Sequence, residues 1–462
     1  MGNAKSTPLN NPYTGLPRVP TVDPSSSTDK RDRTLTHLLR LNHHNYTILY
    51  SQLRFHNHLS HALGSAYLLG ASSEHLTRLY ESESKPLEPW PPTSPGEIAR
   101  RDWREHISDR RYQRAYLDFF EDELVRLGYD WRRVAAEYLF QGPEPLIFGG
   151  LGGLGHSLIH LGYAFELGSK EVGMEALAMF TTNYHAFLPG YIDAEFPTAV
   201  GVGGGGPVDS SATTLPPPPT AHVTEDPLEI IHRIRLDPAF DGIFSHPGAD
   251  NIEPLFELRK EEVLAYSRQF RITSPADAHK SLNRVAALLL VCSHHPGQPE
   301  FDFFVVHLTT VSYAIRTLLP EVPEDYALPL VKMHWLFIII VYIIQLRKEV
   351  RPELVDKVEL GGRGWGDVVQ KALGKGEGSA GEMEDVHYLK GMLSFFPSFS
   401  LFTIIMIFSR NSWGLMMAGG IAVRAMKDSA QLWKDQDEFY LKAALKFAWE
   451  FEKWSFGSEG YN

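Results

Sequence analysis

Hydrophobic residues recur at intervals of three and four along most of the chain, the period of an α-helix with one buried face. The spacing runs from Arg33 through "LYSQLRFHNHLSHALGSAYLLG", which closes on Gly70 as a helix would, and returns in "YQRAYLDFFEDELVRLGY". Stretches that alternate with a period of two are scarce. The pattern predicts an all-α protein, with one large helical domain over residues 33–462.

Segments rich in proline and glycine interrupt these helices. Residues 1–32 predict a loosely ordered arm, and residues 198–223, a glycine run followed by prolines, predict a flexible insertion. The segment "KPLEPWPPTSPGE" is a proline-rich connection, and "GGRGWGDVVQKALGKGEGSAGEMED" separates two apolar runs. Those runs, Met333 to Leu346 and Ser394 to Phe408, are shorter than the roughly 20 residues of a membrane span, so we expect buried core helices.

Net charge and cysteine content narrow the classes of function. With a formal charge of −12, the surface should repel nucleic acid. One cysteine, Cys292, excludes an internal disulfide framework, and the N-terminus lacks a secretory pattern, so we expect a cytoplasmic location. The opening "MGNAKS" matches a myristoylation signal on Gly2, which would give at most weak membrane attachment. The sequence carries no indication of an oligomeric state.

The 20 histidines are the candidate chemistry, because a chain with one thiol must build a transition-metal site from imidazole and oxygen ligands. In "FHNHLSH", His58 and His61 share a helical face at i and i+3, whereas His56 points away. In "HSLIH", His156 and His160 lie at i and i+4, a recurrent way to present two imidazoles to one ion. Both pairs also fit hydrogen-bonded polar seams between helices.

Two single histidines and one histidine–lysine pair complete the candidates. His307 in "FFVVHLTT" and His334 in "VKMHWLFIII" interrupt apolar helices, where an unpartnered imidazole costs about 1 to 3 kcal/mol, so a metal ion or a carbonyl group must satisfy each. His387 and Lys390 lie at i and i+3 in "DVHYLKG". They indicate either a solvated first turn or a desolvated lysine, whose neutral amine could take up carbon dioxide as a carbamate.

One glycine motif suggests a different cofactor. Gly150, Gly152 and Gly155 spell G-x-G-x-x-G after an apolar run, which is typical of a dinucleotide-binding turn. That fold needs an acid after a second strand, but Glu175 precedes the apolar run "ALAMF". His156 also places a large ring directly after the last glycine. We interpret the glycines as a flexible or closely packed lead into a helix that carries the chemistry.

Taken in order, these segments resemble the questin oxidase-like family of fungal and bacterial proteins. The similar features are "FHNHLSHAL" with "LLGAS", "DWREHISDRRYQRAYLDFFEDEL", "HSLIHLGYAFE", "FFVVHLTT" and "DVHYLKG". The resemblance implies an all-helical protein whose iron(II) is held by several histidines and a carboxylated lysine. Carried over motif by motif, it offers His58 or His61, His156 or His160, His307, and His387 with Lys390.

The resemblance also implies an activity. The implied activity is similar to that of oxygenases that use dioxygen to open the ring of an anthraquinone-type polyketide in secondary metabolism. Such oxygenases are described either as dioxygenases or as Baeyer-Villiger-type monooxygenases. Tyr163, on the same stripe as the "HSLIH" histidines, is the candidate acid or hydrogen-bond donor to the substrate carbonyl. The alternatives are an NADPH-dependent Baeyer-Villiger monooxygenase without iron and a non-catalytic helical scaffold whose histidines are only buried polar groups.

Overall fold

A computed structural model describes residues 16, 18–19, 21, 27–185, 223–293, 300–374, 385–396 and 438–455. The helices among them are α1 (Lys30–Asn45), α2 (Leu59–Leu68), α3 (Ser73–Glu83), α4 (Gln113–Arg126), α5 (Trp131–Phe140), α6 (His156–Leu167), α7 (Lys170–Thr182), α8 (Pro227–Leu236), α9 (Ile252–Ser267), α10 (Pro275–Cys292), α11 (Val306–Leu318), α12 (Glu324–Ile344), α13 (Glu353–Asp356), α14 (Trp365–Ala372), α15 (Val386–Ser394) and α16 (438–450). The strands are β1 (Leu49–Tyr50), β2 (Phe55–His56), β3 (Glu300–Asp302) and β4 (Lys453–Ser455). The all-α prediction is confirmed.

The N-terminal part differs from the prediction in two places. Asp29 accepts hydrogen bonds from the amides of Arg31 and Asp32, so α1 begins at Lys30, inside the segment expected to be an arm. The helical pattern toward Gly70 is not one helix either. An antiparallel hairpin of β1 and β2 separates α1 from α2, because Ser51, Gln52 and Leu53 turn the chain in the left-handed region.

The centre of the body is α6, which packs against α7, α11 and α2. Its contact with α11 is close at Gly162, where a Cβ atom would stand 3.0 Å from the Cα and Cβ of Ala314. On α2, a Cβ at Gly64 would stand 2.8 Å from the Tyr163 ring. Small residues therefore let the three helices approach one another, and this brings the side chains at their N-terminal ends together.

The apolar run at Met333 lies in α12, of which almost every residue from Leu330 onward is buried. By length and composition α12 could cross a membrane, but 83% of its apolar window is buried inside the protein. Its Trp335 indole donates to the carbonyl of Ser267. These contacts confirm the expected core helix.

Toward the C-terminus, the glycine-rich patch contains the short helix α14, which the composition did not predict. The segment 85–97 is a connection without a helix, as expected. Gly2, residues 198–222 of the expected insertion and residues 397–408 of the second apolar run lie outside the described residues. Parallel pairing of β3 with β4 brings the chain end beside the start of α11.

Candidate metal centre

Four helix starts converge on one point of the core. The N-terminal ends of α2, α6, α11 and α15 each present one imidazole there. Neighbouring ring centroids are 4.7 Å apart for His58 and His156, 4.9 Å for His156 and His307, 5.4 Å for His307 and His387, and 4.6 Å for His387 and His58. We call these four residues, which are His58, His156, His307 and His387, the histidine cluster.

The glycine motif sets the place of His156. A 3-10 helix (Leu146–Gly149) precedes it, where a dinucleotide turn would need a strand. Gly152 lies so close to the Asn183 carbonyl that a Cβ would stand 1.8 Å from its oxygen, and Gly155 has a φ of 75° just before α6. The glycines are therefore a closely packed lead, as the sequence indicated.

Backbone carbonyls fix the tautomers of two cluster rings. Because a carbonyl oxygen only accepts, His307 donates through Nδ1 to the Phe303 oxygen, 2.9 Å away, and His156 donates through Nδ1 to the Gly153 oxygen. As neutral imidazoles, both then carry a lone pair on Nε2. This arrangement is typical of histidines that bind a metal through Nε2.

The ligand nitrogens of three cluster members lie within reach of a single ion. Ligand atoms of His58, His156 and His387 all lie within 4.8 Å of one another. The Nε2 atoms of His58 and His156 are hydrogen-bonded to each other at 2.6 Å. The Nε2 atoms of His307 and His387 are buried and have no hydrogen-bond partner among the described residues. Buried polar atoms are normally satisfied, so this cluster fits a cation that would satisfy them.

Burial keeps the cluster uncharged. It lowers the pKa of His58, His156 and His387 well below the ordinary value, with the neighbouring Lys390 and histidines adding to the effect. For His307, burial and then Lys390 lower the pKa to about 3. Neutral imidazoles are the form that binds metal ions, so no proton has to be removed before an ion binds at neutral pH.

Lys390 lies one helical turn beyond His387. Its side chain is 1% exposed, and its Nζ atom has no partner among the described residues. Burial lowers the pKa of this amine to about 7, although the charge of Asp385 opposes the shift. Lys390 also lines a small cavity with Tyr163, Thr310 and Tyr313. A large fraction of the amine is therefore neutral near pH 7 and faces free space.

The other predicted histidines belong to a second group, the carboxylate network. His61 Nε2 lies 2.9 Å from His160 Nδ1, and His160 Nε2 lies 2.7 Å from a carboxylate oxygen of Glu175. The other oxygen of Glu175 lies 3.0 Å from His43 Nδ1, and His43 Nε2 lies 2.8 Å from Glu121. The network thus runs from beside the histidine cluster to a side chain that is 40% exposed.

The network is charged where the cluster is neutral. Burial would lower the pKa of His43, but its hydrogen bonds to Glu121 and Glu175 raise it to about 9. Burial would likewise raise the pKa of Glu175, but hydrogen bonds from His160 and His43 lower it to about 2. His43 is therefore a cation between two carboxylates, and Glu175 is a fully buried anion.

One expectation needs correction. His56 stands in β2 and not on a helix, and its ring stacks on His156 at 4.1 Å instead of pointing away. His334 lies outside the cluster, with its ring centroid 6.2 Å from that of His279. Glu175 has no strand before it and contacts imidazoles, which agrees with the expectation that it is not a ribose-binding acid.

Tyr163 lies beside the carboxylate network. Its hydroxyl is 2.6 Å from Ser65 Oγ, and its ring stacks on His61 at 5.1 Å. Burial raises its pKa, so the hydroxyl stays protonated.

The sequence did not predict several residues that shape the site. His43 and Glu121 were missed because each belongs to an ordinary amphipathic helix. Asp385 was missed as the N-cap of α15, although an aspartate before "VHYLKG" is the usual signal for one. No sequence pattern indicated Phe303 or Trp454. Their ring centroids lie 4.4 Å and 6.3 Å, respectively, from that of His387.

Comparison with known proteins gives one family. The sequence model described as questin oxidase-like matches residues 55–393, which include every member of the histidine cluster and Lys390.

Similar curated proteins come from fungi. A Baeyer-Villiger oxidase of Pestalotiopsis fici is 26% identical over 303 residues, 62% of each chain. A Baeyer-Villiger oxidase of Emericella nidulans is 26% identical over 318 residues, 60% of this chain and 62% of the relative. A questin oxidase of Aspergillus fumigatus is 23% identical over 337 residues, 68% of this chain and 70% of the relative. The chain thus spans less than two thirds of the length of the two Baeyer-Villiger oxidases.

Proposed function

The chain belongs to the questin oxidase-like family, and we propose that it is an iron(II)-dependent oxygenase that opens the ring of an anthraquinone-type polyketide in secondary metabolism. The observation that carries the proposal is the histidine cluster, in which neutral imidazoles converge and the Nε2 atoms of His307 and His387 have no partner among the described residues. An all-imidazole set with an oxygen ligand nearby suits iron better than the thiolate-preferring metals. The names of the relatives support an oxygenase and a polyketide substrate.

We propose that His58, His156, His307 and His387 hold the iron, with Lys390 as the source of the oxygen ligand. The neutral amine of Lys390 adds to carbon dioxide, forming an N–C bond and releasing one proton, and the product is a carbamate anion. The unpartnered Nζ is where the carboxylate would attach, and the adjoining cavity of about 10 Å³ would have to widen by side-chain movement to admit it. The anion would also balance part of the charge of the cation.

His61 and His160, the remaining candidates for metal ligands, have a supporting role in this proposal. Both nitrogens of His160 are occupied, by His61 and by Glu175. Because the Glu175 carboxylate only accepts, His160 donates to it through Nε2, and its Nδ1 is paired with His61 Nε2. The carboxylate network therefore fixes the first turn of α2, on which His58 is the N-cap.

Iron(II), when bound, supplies the open coordination position and the electrons that activate dioxygen. The protein residues supply the rest of the mechanism. The cluster stays neutral and buried, which excludes water from the reacting atoms. Tyr163 remains protonated, and we propose that it donates a hydrogen bond to the substrate carbonyl when its bond to Ser65 is exchanged.

The test is metal analysis of the full chain, followed by anaerobic addition of iron(II) and then turnover of an anthraquinone and of its hydroquinone in air. We expect about one iron per chain in the wild-type protein. His387→Ala should lose the iron and the turnover, whereas His232→Ala, on the exposed face of α8, should keep both. Full turnover by metal-free protein supplied with NADPH would contradict the iron proposal and favour the alternative Baeyer-Villiger monooxygenase.

Lys390 needs its own test. Lys390→Ala should weaken iron binding by roughly 10- to 100-fold, and acetate or propionate should restore part of it by occupying the vacated space. Lys390→Met fills that space with an apolar chain and should resist rescue. Unchanged iron binding in both variants would remove Lys390 from the ligand set.

A further inference from the structure

The C-terminal strand β4 contacts the residues just before each of the two later helices that carry cluster histidines. It pairs in parallel with β3, with Phe301 opposite Trp454 and Asp302 opposite Ser455. Only three residues separate β3 from α11, which carries His307 at its second position. The end of the described chain is therefore built into the wall of the candidate metal centre.

One contact of β4 leads to His307. The amide of Phe303 donates to the Ser455 carbonyl at 3.0 Å, and the carbonyl of Phe303 accepts the Nδ1 hydrogen of His307. The residue that sets the tautomer of His307 is thus itself held by β4.

The second contact leads to His387 and Lys390. The Trp454 indole donates to Asp385 Oδ2 at 2.9 Å, and Asp385 Oδ1 accepts the amide of Tyr388 at 2.8 Å as the N-cap of α15. That helix is only nine residues long, so its cap fixes a large part of it. The Phe303 ring lies between, 6.1 Å from Trp454 and 4.4 Å from His387.

We propose that β4 sets the position of α15 relative to α11. Trp454 is the positioning residue, and it acts through Asp385. The inference rests on the proposed iron site. The ring contacts of Trp454 with Phe303, His387, Phe447 and Phe451 would persist with any large aromatic residue. The indole hydrogen bond is the polar link between the strand and the ligand helix, and phenylalanine would remove it.

The experiment compares Trp454→Phe with Trp449→Phe in the full chain, using anaerobic titration with cobalt(II) as the probe. Trp449 is 36% exposed at the end of α16 and serves as the matched control. We expect Trp454→Phe to bind cobalt(II) roughly 10- to 100-fold more weakly, with an altered visible spectrum, while its metal-free form unfolds within a few degrees of wild type. Trp449→Phe should bind as wild type does.

Asp385→Asn provides a second arm, because the amide keeps one acceptor oxygen for two donors. It should also weaken cobalt(II) binding, and adding Trp454→Phe to it should change little further, since both act through one contact. Wild-type affinity for cobalt(II) in either single variant would overturn the positioning role of β4 but leave the iron proposal intact. Absence of binding by the wild-type protein would overturn both.

Discussion

Histidine has a different role in the histidine cluster from its role in the carboxylate network, although α6 contributes one histidine to each group. In the cluster, the inward nitrogens of His307 and His387 lack partners among the described residues, and burial keeps the rings neutral. In the network, two carboxylates bind His43, which is a cation, and His160 lies between Glu175 and His61. The comparison teaches that the hydrogen-bond partners of a buried histidine decide whether it is a candidate metal ligand or a charged structural residue.

The largest expected effect is loss of one cluster ring. His307→Ala should reduce iron from about one per chain to near zero, since losing a ligand should exceed the roughly 100-fold cost of losing an outer partner. Turnover should fall at least as much. Atomic absorption and steady-state rates measure both quantities. Retention of iron by His307→Ala would mean that the cluster does not bind metal as a unit.

The next effect separates the two groups by stability. Glu175→Gln removes a buried anion from between His43 and His160, and should lower the free energy of unfolding by about 3 to 5 kcal/mol in urea titrations. Glu121→Gln is the matched control, because Glu121 is 40% exposed and solvent screens it, so we expect a loss below about 1 kcal/mol. Equal losses in the two variants would contradict the assignment of Glu175 as the centre of the network.

The smallest effect is the pH dependence of the metal-free protein. The pKa of His43 is raised to about 9, so its contribution is complete below the unfolded value of 6.5 and is lost as pH rises through 9. The pKa of His307 is lowered to about 3, so its contribution is complete above 6.5 and is lost as pH falls toward 3. Lys390 contributes with the opposite sign over the alkaline range, because its pKa is lowered to about 7 and the unfolded chain keeps this proton up to about 10.5. The wild-type protein should therefore change little in stability between pH 6.5 and 8.5, whereas Lys390→Met should lose on the order of 2 kcal/mol over that range through His43.

Urea midpoints at about pH 5, 6.5 and 8.5 measure this curve. Adding His43→Gln to Lys390→Met should flatten the alkaline side and leave the acid side in place, whatever its effect on overall stability. An unchanged alkaline slope in that variant would show that another group causes it.

Much of the fold could be predicted because it depends on local patterns. The apolar period of three and four predicted α4 and α6, and the uninterrupted apolar run predicted the buried α12. The pattern failed between α1 and α2, where the periodicity continues across a hairpin that the backbone alone reveals. It also failed at α14, since a glycine-rich composition concealed a short helix with one apolar face.

The sequence by itself determined the helical class and the segments that carry chemistry, namely two histidine pairs, His307, and His387 with Lys390. Only the tertiary structure separated the members of each pair. Residues three or four apart share one helical face, so periodicity cannot distinguish His156 from His160. Glu175 on α7 makes that distinction, because it reaches His160 and leaves His156 to the cluster. Which imidazole keeps a free lone pair depends on the side chains that neighbouring helices place beside it, and the period of a single helix carries no information about them.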